Sequence, residues 1–147
     1  MLKRYLPVLT LLIMVACSKD KLETIPSIKI KRISSSEVVP GQTLQIFLEY
    51  SDKEGDLSKG ELTYVRDRTN IRPIENPAAN DKTDTARYTL PEFPKATTGE
   101  IQVNIPYDFL TEDPNDNDTM ILRLMVIDTK GNKSDTIATS PIVARQL

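Results

Sequence analysis

The sequence predicts an all-β fold, an immunoglobulin-like or fibronectin-type-III-like antiparallel β-sandwich of about seven strands. Short runs in which apolar and polar residues alternate have the two-residue period of half-buried strands. Gly, Pro, Asp and Asn separate these runs and favour turns between them. No run of useful length has the period of an amphipathic helix. The Cys pair and the Trp of antibody-type domains are absent, since the chain has one Cys and no Trp.

Three strands are predicted in the first half of the sandwich, at residues 27–33, 43–51 and 61–67. The alternation is longest in the second of these runs. There Phe47 falls on the outer face, which predicts that part of this face is covered. In the third run, Leu62 and Tyr64 occupy the same face.

Four further strands are predicted, at residues 85–90, 99–105, 119–128 and 134–143. The run at 119–128 is almost continuously apolar, which predicts a central strand covered on both faces. Pro141 suits an edge position in the last run, because proline cannot donate a hydrogen bond to a neighbouring strand. The run at 85–90 is weaker and ends at Pro91, so we expect a short edge strand.

The N-terminus has the organisation of a secretory signal peptide. Lys3 and Arg4 precede about twelve mostly apolar residues, whereas a membrane-spanning helix needs roughly 20. The apolar run ends at Cys17, the single cysteine of the chain. We therefore expect a signal peptide at residues 1–16, a polar tether at 17–25 and the β-sandwich domain at 26–147.

Met14-Val15-Ala16-Cys17 resembles the lipobox of bacterial lipoproteins. This resemblance implies that the Cys17 thiol receives a diacylglycerol and that the residues before it are removed. The alternative is an ordinary signal peptide that contains a cysteine. Two or three acyl chains anchor a protein durably, so we expect a lipid-anchored protein of the outer membrane. Whether it faces the cell surface or the periplasm is left open by the sequence.

Composition excludes several classes of function. The chain has no histidine, which removes the Ser-His-Asp triad and imidazole metal ligands. With 19 basic and 21 acidic residues there is no basic excess for nucleic acid. Asp116 and Asp118 are paired carboxylates that a hydrolase would use, but they fall in an Asp- and Asn-rich turn. We expect that the protein is not an enzyme.

A cluster of carboxylates follows the second predicted strand, where Asp52, Glu54 and Asp56 surround Gly55. In the immunoglobulin strand order this turn lies beside the turn that contains Asp128. Oxygen-rich loops of this kind suit Ca²⁺, so these four residues are the candidate calcium ligands. The alternative is a turn whose aspartates cap a strand end through hydrogen bonds to the backbone. The fold itself requires no cofactor, because a domain of about 120 residues buries a sufficient core.

Two segments resemble small lipoproteins of Bacteroidota. Residues 48–57, LEYSDKEGDL, are similar to their Y/F-x-D-x-D/E-G-D-hydrophobic turn, with Glu54 in place of the commoner Asp. Residues 122–137 are similar to their closing hairpin, D-x-x-x-N-x-S-N/D-x-I. The resemblance implies an immunoglobulin-like fold and an address in the cell envelope, and it implies no activity.

We therefore expect a membrane-anchored envelope lipoprotein whose immunoglobulin-like module binds another protein or supports an assembly. The predicted topology places a partner at the end of the sandwich away from the tether. The alternative is a glycan-binding accessory lipoprotein of a nutrient-uptake system, because aromatic side chains in or beside loops can stack on sugars. The aromatic residues so placed are Tyr88, Phe93, Tyr107 and Phe109.

Overall fold

The computed structural model describes residues 24–71 and 84–147, which form two packed β-sheets. The strands in chain order are β1 (Ser27–Ile33), β2 (Glu37–Val38), β3 (Thr43–Ser51), β4 (Glu61–Arg68), β5 (Asp84–Thr89), β6 (Thr98–Pro106), β7 (Asp118–Ile127), β8 (Ile137–Ala138) and β9 (Ile142–Ala144). A single 3₁₀ turn within the described residues, Tyr107–Phe109, follows β6. Cys17, the predicted signal peptide and most of the predicted tether lie outside the described residues.

The strand order is that of an immunoglobulin-like sandwich. One sheet has the order β1-β3-β6, and the other has the order β2-β9-β7-β4-β5 with β8 also paired to β7. The chain changes sheets between β1 and β2, and β2 then pairs in parallel with β9. All other pairs are antiparallel. This arrangement confirms the predicted fold class.

The core lies between the inner faces of β3 and β7. Leu44, Ile46 and Leu48 of β3 are completely buried, as are Leu122 and Leu124 of β7. Burying each such side chain contributes about 1.5–3 kcal/mol. The alternating pattern read from the sequence therefore gives the correct inner face on both strands.

β7 is central in its sheet, as predicted, but it is not covered on both faces. Its outward residues Ile121, Met125 and Ile127 are half-buried and Arg123 is exposed. A two-layer sandwich has no third layer to cover them. On the other sheet the expected cover over Phe47 is confirmed, because the Arg32 guanidinium lies 3.6 Å from the ring centroid.

The predicted strand at 134–143 is two short strands instead of one. Pro141 separates β8 from β9, since it has no N–H to offer a neighbouring strand. At the interruption the Leu122 N–H donates to the Thr139 hydroxyl at 3.1 Å, so a side chain replaces a backbone acceptor. The weak run before Pro91 is β5, which pairs with β4 at the edge as expected. The two-residue strand β2 was missed, because so short an element has no periodicity.

The two ends of the sandwich are distinct. At the tether end, Ser27 of β1 pairs with Ser51 of β3, and the turns after β3 and β7 meet. The far end carries the 3₁₀ turn and the loop that leads into β7, beside the pairing of Thr43 with Pro106. The chain therefore enters the sandwich at the end opposite the far-end loops.

Candidate functional site

The acidic turn after β3 docks against the turn after β7, as the strand order predicts. The Asp56 carbonyl accepts hydrogen bonds from the Thr129 N–H at 3.3 Å and the Thr129 hydroxyl at 3.1 Å. The Lys130 ammonium pairs with the carboxylates of Glu54 and Asp56. The two turns are therefore joined by both neutral and charged contacts.

Asp52 closes its own turn. It is 1% exposed, and its two carboxylate oxygens accept the N–H groups of Glu54 at 3.2 Å and Asp56 at 2.9 Å. Gly55 has a φ of +64°, which lets the chain bend between these donors. Burial raises the pKa of Asp52, while the hydrogen bond from the Asp56 backbone acts in the opposite direction.

Asp128 has the same role in the facing turn. It is buried, and its Oδ1 accepts the N–H groups of Lys130 at 2.9 Å and Asn132 at 2.8 Å. Its Oδ2 accepts the Asn132 side-chain amide at 2.7 Å. Asp52 and Asp128 thus each bind the backbone of their own turn, the geometry of a side-chain-capped turn.

The calcium hypothesis stays a prediction. No three His, Cys, Asp or Glu side chains converge as a metal-ligand group anywhere in the described ranges. The buried carboxylate oxygens of Asp56 lack a hydrogen bond of good geometry, although Lys130 Nζ lies 3.1 Å from Oδ2 as an ion-pair partner. A cation between the turns would have to displace this ammonium.

Asp118 is withdrawn from the surface and does not form an exposed carboxylate pair with Asp116. It is fully buried, and its Oδ2 accepts the N–H groups of Glu112 at 2.6 Å and Asp113 at 2.9 Å. The Asp116 carboxylate accepts the N–H of the adjacent Asn117. The arrangement closes a loop, and the carboxylates of Asp116 and Asp118 bind different backbone N–H groups.

A buried ion-pair network at the far end was missed by the sequence analysis. The guanidinium of Arg66 pairs with Glu112 and donates to the Phe109 carbonyl at 3.1 Å. Arg68 pairs with both Glu112 and Asp118. The alternation in β4 would have predicted that both arginines point inward, because they continue the face that Leu62 and Tyr64 begin. The network fastens the loop between β6 and β7 to the second sheet.

The far end also exposes apolar side chains. Phe109 is 60% exposed and Ile71 is wholly exposed, and Leu147 lies beyond β9 at the same end. An open concavity of about 510 Å³ lies at Ile71. It is lined by Thr69, Asn70, Ile71, Asp116, Asn117 and Thr119.

A groove of about 350 Å³ runs along the side of the sandwich between β5 and β6. Tyr88 and Phe93 lie on one wall, and polar residues of β6, including Gln102 and Asn104, lie on the other. The Tyr88 ring stacks on Tyr64, with ring centroids 5.9 Å apart and 21° between the planes. The groove therefore brings aromatic residues beside residues of β6 that carry amide groups.

Only two of the four aromatic residues considered for glycan stacking meet in this groove. Tyr107 is 5% exposed, and its hydroxyl donates to the Arg145 carbonyl at 3.0 Å, so its ring belongs to the core. Its expected position in or beside a loop was right, but the ring is not available to a ligand. Phe109 lies at the far end, away from Tyr88 and Phe93.

No protein-family model and no curated protein matches the chain. Among solved structures, a PKD domain of an M14-like peptidase from a Thermoplasmatales archaeon is 13% identical, with 83% of this chain and 94% of that domain aligned and a TM-score of 0.40. A cohesin module of a Clostridium perfringens family 33 glycoside hydrolase is also 13% identical, with 84% and 99% aligned and a TM-score of 0.39.

A Niemann-Pick type C2 protein from the Japanese carpenter ant is 10% identical, with 84% of this chain and 95% of that chain aligned and a TM-score of 0.45. Scores of this size carry no argument about function, and the fold class rests on the strand order itself. Within residues 24–71 and 84–147, no helix has the length and apolarity to cross a membrane.

The calcium hypothesis predicts that millimolar Ca²⁺ raises the melting temperature of the wild-type protein and of Lys130→Ala. The rise in melting temperature should be lost in Asp56→Asn, because that change removes the charge of a candidate ligand. It leaves the hydrogen bonds by which Asp52 closes the turn in place. Thermal unfolding with and without Ca²⁺, with Mg²⁺ as the control cation, measures this. An equal rise in Asp56→Asn, or none in the wild type, would reject a site between the turns.

The alternative, that Asp52 closes its turn through backbone hydrogen bonds, is tested with the variant Asp52→Ala. It leaves two backbone N–H groups without their acceptor, so it should lower the free energy of unfolding by about 1–3 kcal/mol whether or not Ca²⁺ is present.

Proposed function

We propose that the protein is a lipid-anchored module of the bacterial outer membrane that binds another envelope protein through the far end of its sandwich. Cys17 carries the lipid, and the module is non-catalytic. The immunoglobulin-like strand order supports a binding or structural role without specifying a ligand. The absence of histidine from the sequence and the capped positions of Asp52, Asp118 and Asp128 support a non-catalytic module.

The observation that carries this proposal is the exposure of Phe109 and Ile71 at the same end of the sandwich. Contiguous exposed apolar surface is typical of sites where proteins interact, and the proposal takes the far end, with these two side chains, as such a site. The tether enters the domain at the opposite end, so anchoring leaves these side chains uncovered.

The far end is also rigid enough to present such a surface. The Arg66 guanidinium holds the Phe109 carbonyl directly, and Glu112 and Asp118 tie the following loop to β4 through Arg68. A surface held in one conformation loses less entropy when a partner binds. Phe109 is thus an apolar side chain on a fixed backbone.

The anchor is tested with Cys17→Ala in the full chain expressed in its bacterial host. We expect the wild-type protein to incorporate an alkyne-labelled fatty acid and to fractionate with membranes, and Cys17→Ala to do neither. Ser18→Ala is the matched control and should be labelled like the wild type. Labelling of Cys17→Ala, or an unlabelled wild-type protein, would contradict lipidation at this residue.

The partner surface is tested with a double variant, Phe109→Ser with Ile71→Ser, after chemical cross-linking in intact cells. Both side chains are exposed, so each change should alter stability by no more than about 0.5 kcal/mol. We expect the cross-linked species that joins the wild-type protein to a different protein to disappear. Ile25→Ser is the control, since Ile25 is 50% exposed but lies at the tether end. If the double variant still cross-links to that different protein as the wild type does, the far end is rejected as the contact surface.

A second candidate function, glycan binding, is favoured by the groove between β5 and β6. Tyr88 and Phe93 supply aromatic faces there, and Gln102 and Asn104 supply amide groups that can bond to hydroxyls. In this alternative the protein is an accessory lipoprotein of a nutrient-uptake system. The site would lie on the side of the sandwich and would leave the far end free.

Glycan binding predicts retardation of the protein in polysaccharide affinity gels that Tyr88→Ala abolishes. Phe109→Ala is the control, because it removes an aromatic ring outside the groove. Retardation that persists in Tyr88→Ala, or no retardation on any polysaccharide, would remove this candidate.

A further inference from the structure

Strand β6 is a long edge strand with a free side. Within the described residues it pairs with β3 alone, along nine residues from Thr98 to Pro106. The edge strand of the other sheet at this side, β5, has six residues. An unpaired edge is a row of backbone donors and acceptors that can pair with another chain.

The free groups of this edge can be assigned from the hydrogen bonds of β3. The Gln45 carbonyl accepts the Ser34 N–H at 2.9 Å, so the backbone of Gln45 faces the β1 side. Alternation along an antiparallel ladder then directs Ile46 and its partner Val103 toward each other. The residues of β6 that alternate with Val103 and the other inward-paired residues therefore direct their N–H and C=O groups to the free side. They are Glu100, Gln102 and Asn104, and all three are exposed.

The usual protections of an edge are missing from the middle of β6. The strand has no lysine, and its proline, Pro106, stands at the last position where a ladder ends. Its single charged residue, Glu100, is already paired with Lys31 of β1. Between Glu100 and Asn104, β6 itself has no further charged residue that would repel an approaching strand.

We propose that two copies of the protein pair through β6, antiparallel, about a two-fold axis at Gln102. In this register Gln102 lies opposite Gln102 of the second copy, and Glu100 lies opposite Asn104 of the second copy. Pro106 falls opposite Thr98, at the end of the ladder, where its missing N–H matters least. The two three-stranded sheets become one continuous sheet.

The side chains on the outer face are complementary in this register. Gln102 Nε2 donates to Asn104 Oδ1 at 2.8 Å within one copy. The Asn104 Nδ2 group is then able to donate to Glu100 of the second copy, whose other carboxylate oxygen binds Lys31. No like charges face each other, whereas a register centred on Glu100 would oppose two carboxylates.

The pairing is compatible with two lipid anchors in one membrane. A two-fold axis perpendicular to the sheet places the starts of the two β1 strands at opposite ends of the pair. Both starts then have the same position along the direction of the axis. If the axis is normal to the membrane, both tethers reach it and both far ends stay uncovered. The inference does not rest on the proposed function, since it depends on β6 alone.

The test uses full-length protein purified from membranes in detergent. Gln102→Cys should form a disulfide-linked dimer on mild oxidation, because directly opposite residues of a hydrogen-bonded pair have Cα atoms about 5.5 Å apart, within disulfide range. Gln45→Cys is the matched control, since Gln45 is on the same outer face one strand away from the edge. The wild-type protein under the same oxidation reports any cross-link through Cys17, which would count against lipidation and not against the pairing.

A charge exchange provides the second measurement. Gln102→Glu or Gln102→Lys alone places like charges at the axis and should reduce the dimer fraction at least about tenfold in light scattering. Mixing the two variants should restore a dimer that contains one copy of each. A monomeric wild-type protein, a dimer indifferent to both charges, or equal disulfide formation by Gln45→Cys would each overturn the pairing through β6.

Discussion

The structure depends on the burial of two apolar sheet faces against each other. Leu44, Ile46 and Leu48 on one side and Leu122 and Leu124 on the other exclude water from the space between the layers. Because side chains alternate along a strand, this burial fixes which residues face outward and directs all loops to the two ends. It also leaves unpaired edges at the sides. The ends, the sides and the outer faces are therefore the surfaces left for function.

Buried aspartates complete the ends of the sandwich. Asp52, Asp118 and Asp128 each accept two or more hydrogen bonds from neighbouring N–H groups, so each satisfies donors that the strands leave unpaired. A buried polar group without a partner would be expensive. Much of the acidic character of these loops is thus explained by backbone hydrogen bonding. Of these three aspartates, Asp118 also forms an ion pair, because Arg68 binds its second carboxylate oxygen.

This architecture leaves three surfaces, one at each end of the sandwich and one at its side. The surfaces at the two ends use different residues. The tether end carries the paired turns, where Lys130 balances Glu54 and Asp56. The far end presents Phe109 on a backbone that Arg66 holds. The side between β5 and β6 has the groove and the free edge. An anchored protein that uses the far end for one partner would keep its side available for another copy.

By itself the sequence determined the long strands, their inner faces and the class of fold, because a two-residue period is a local property of the chain. It also correctly placed the turn of Asp52 near that of Asp128, since strand order constrains which loops meet. Only the tertiary structure decided what those carboxylates contact, that Tyr107 is buried, and that Arg66 and Arg68 converge on Glu112. These outcomes depend on contacts between residues distant in the chain, such as the 3.0 Å bond from Tyr107 to Arg145, which no local pattern encodes.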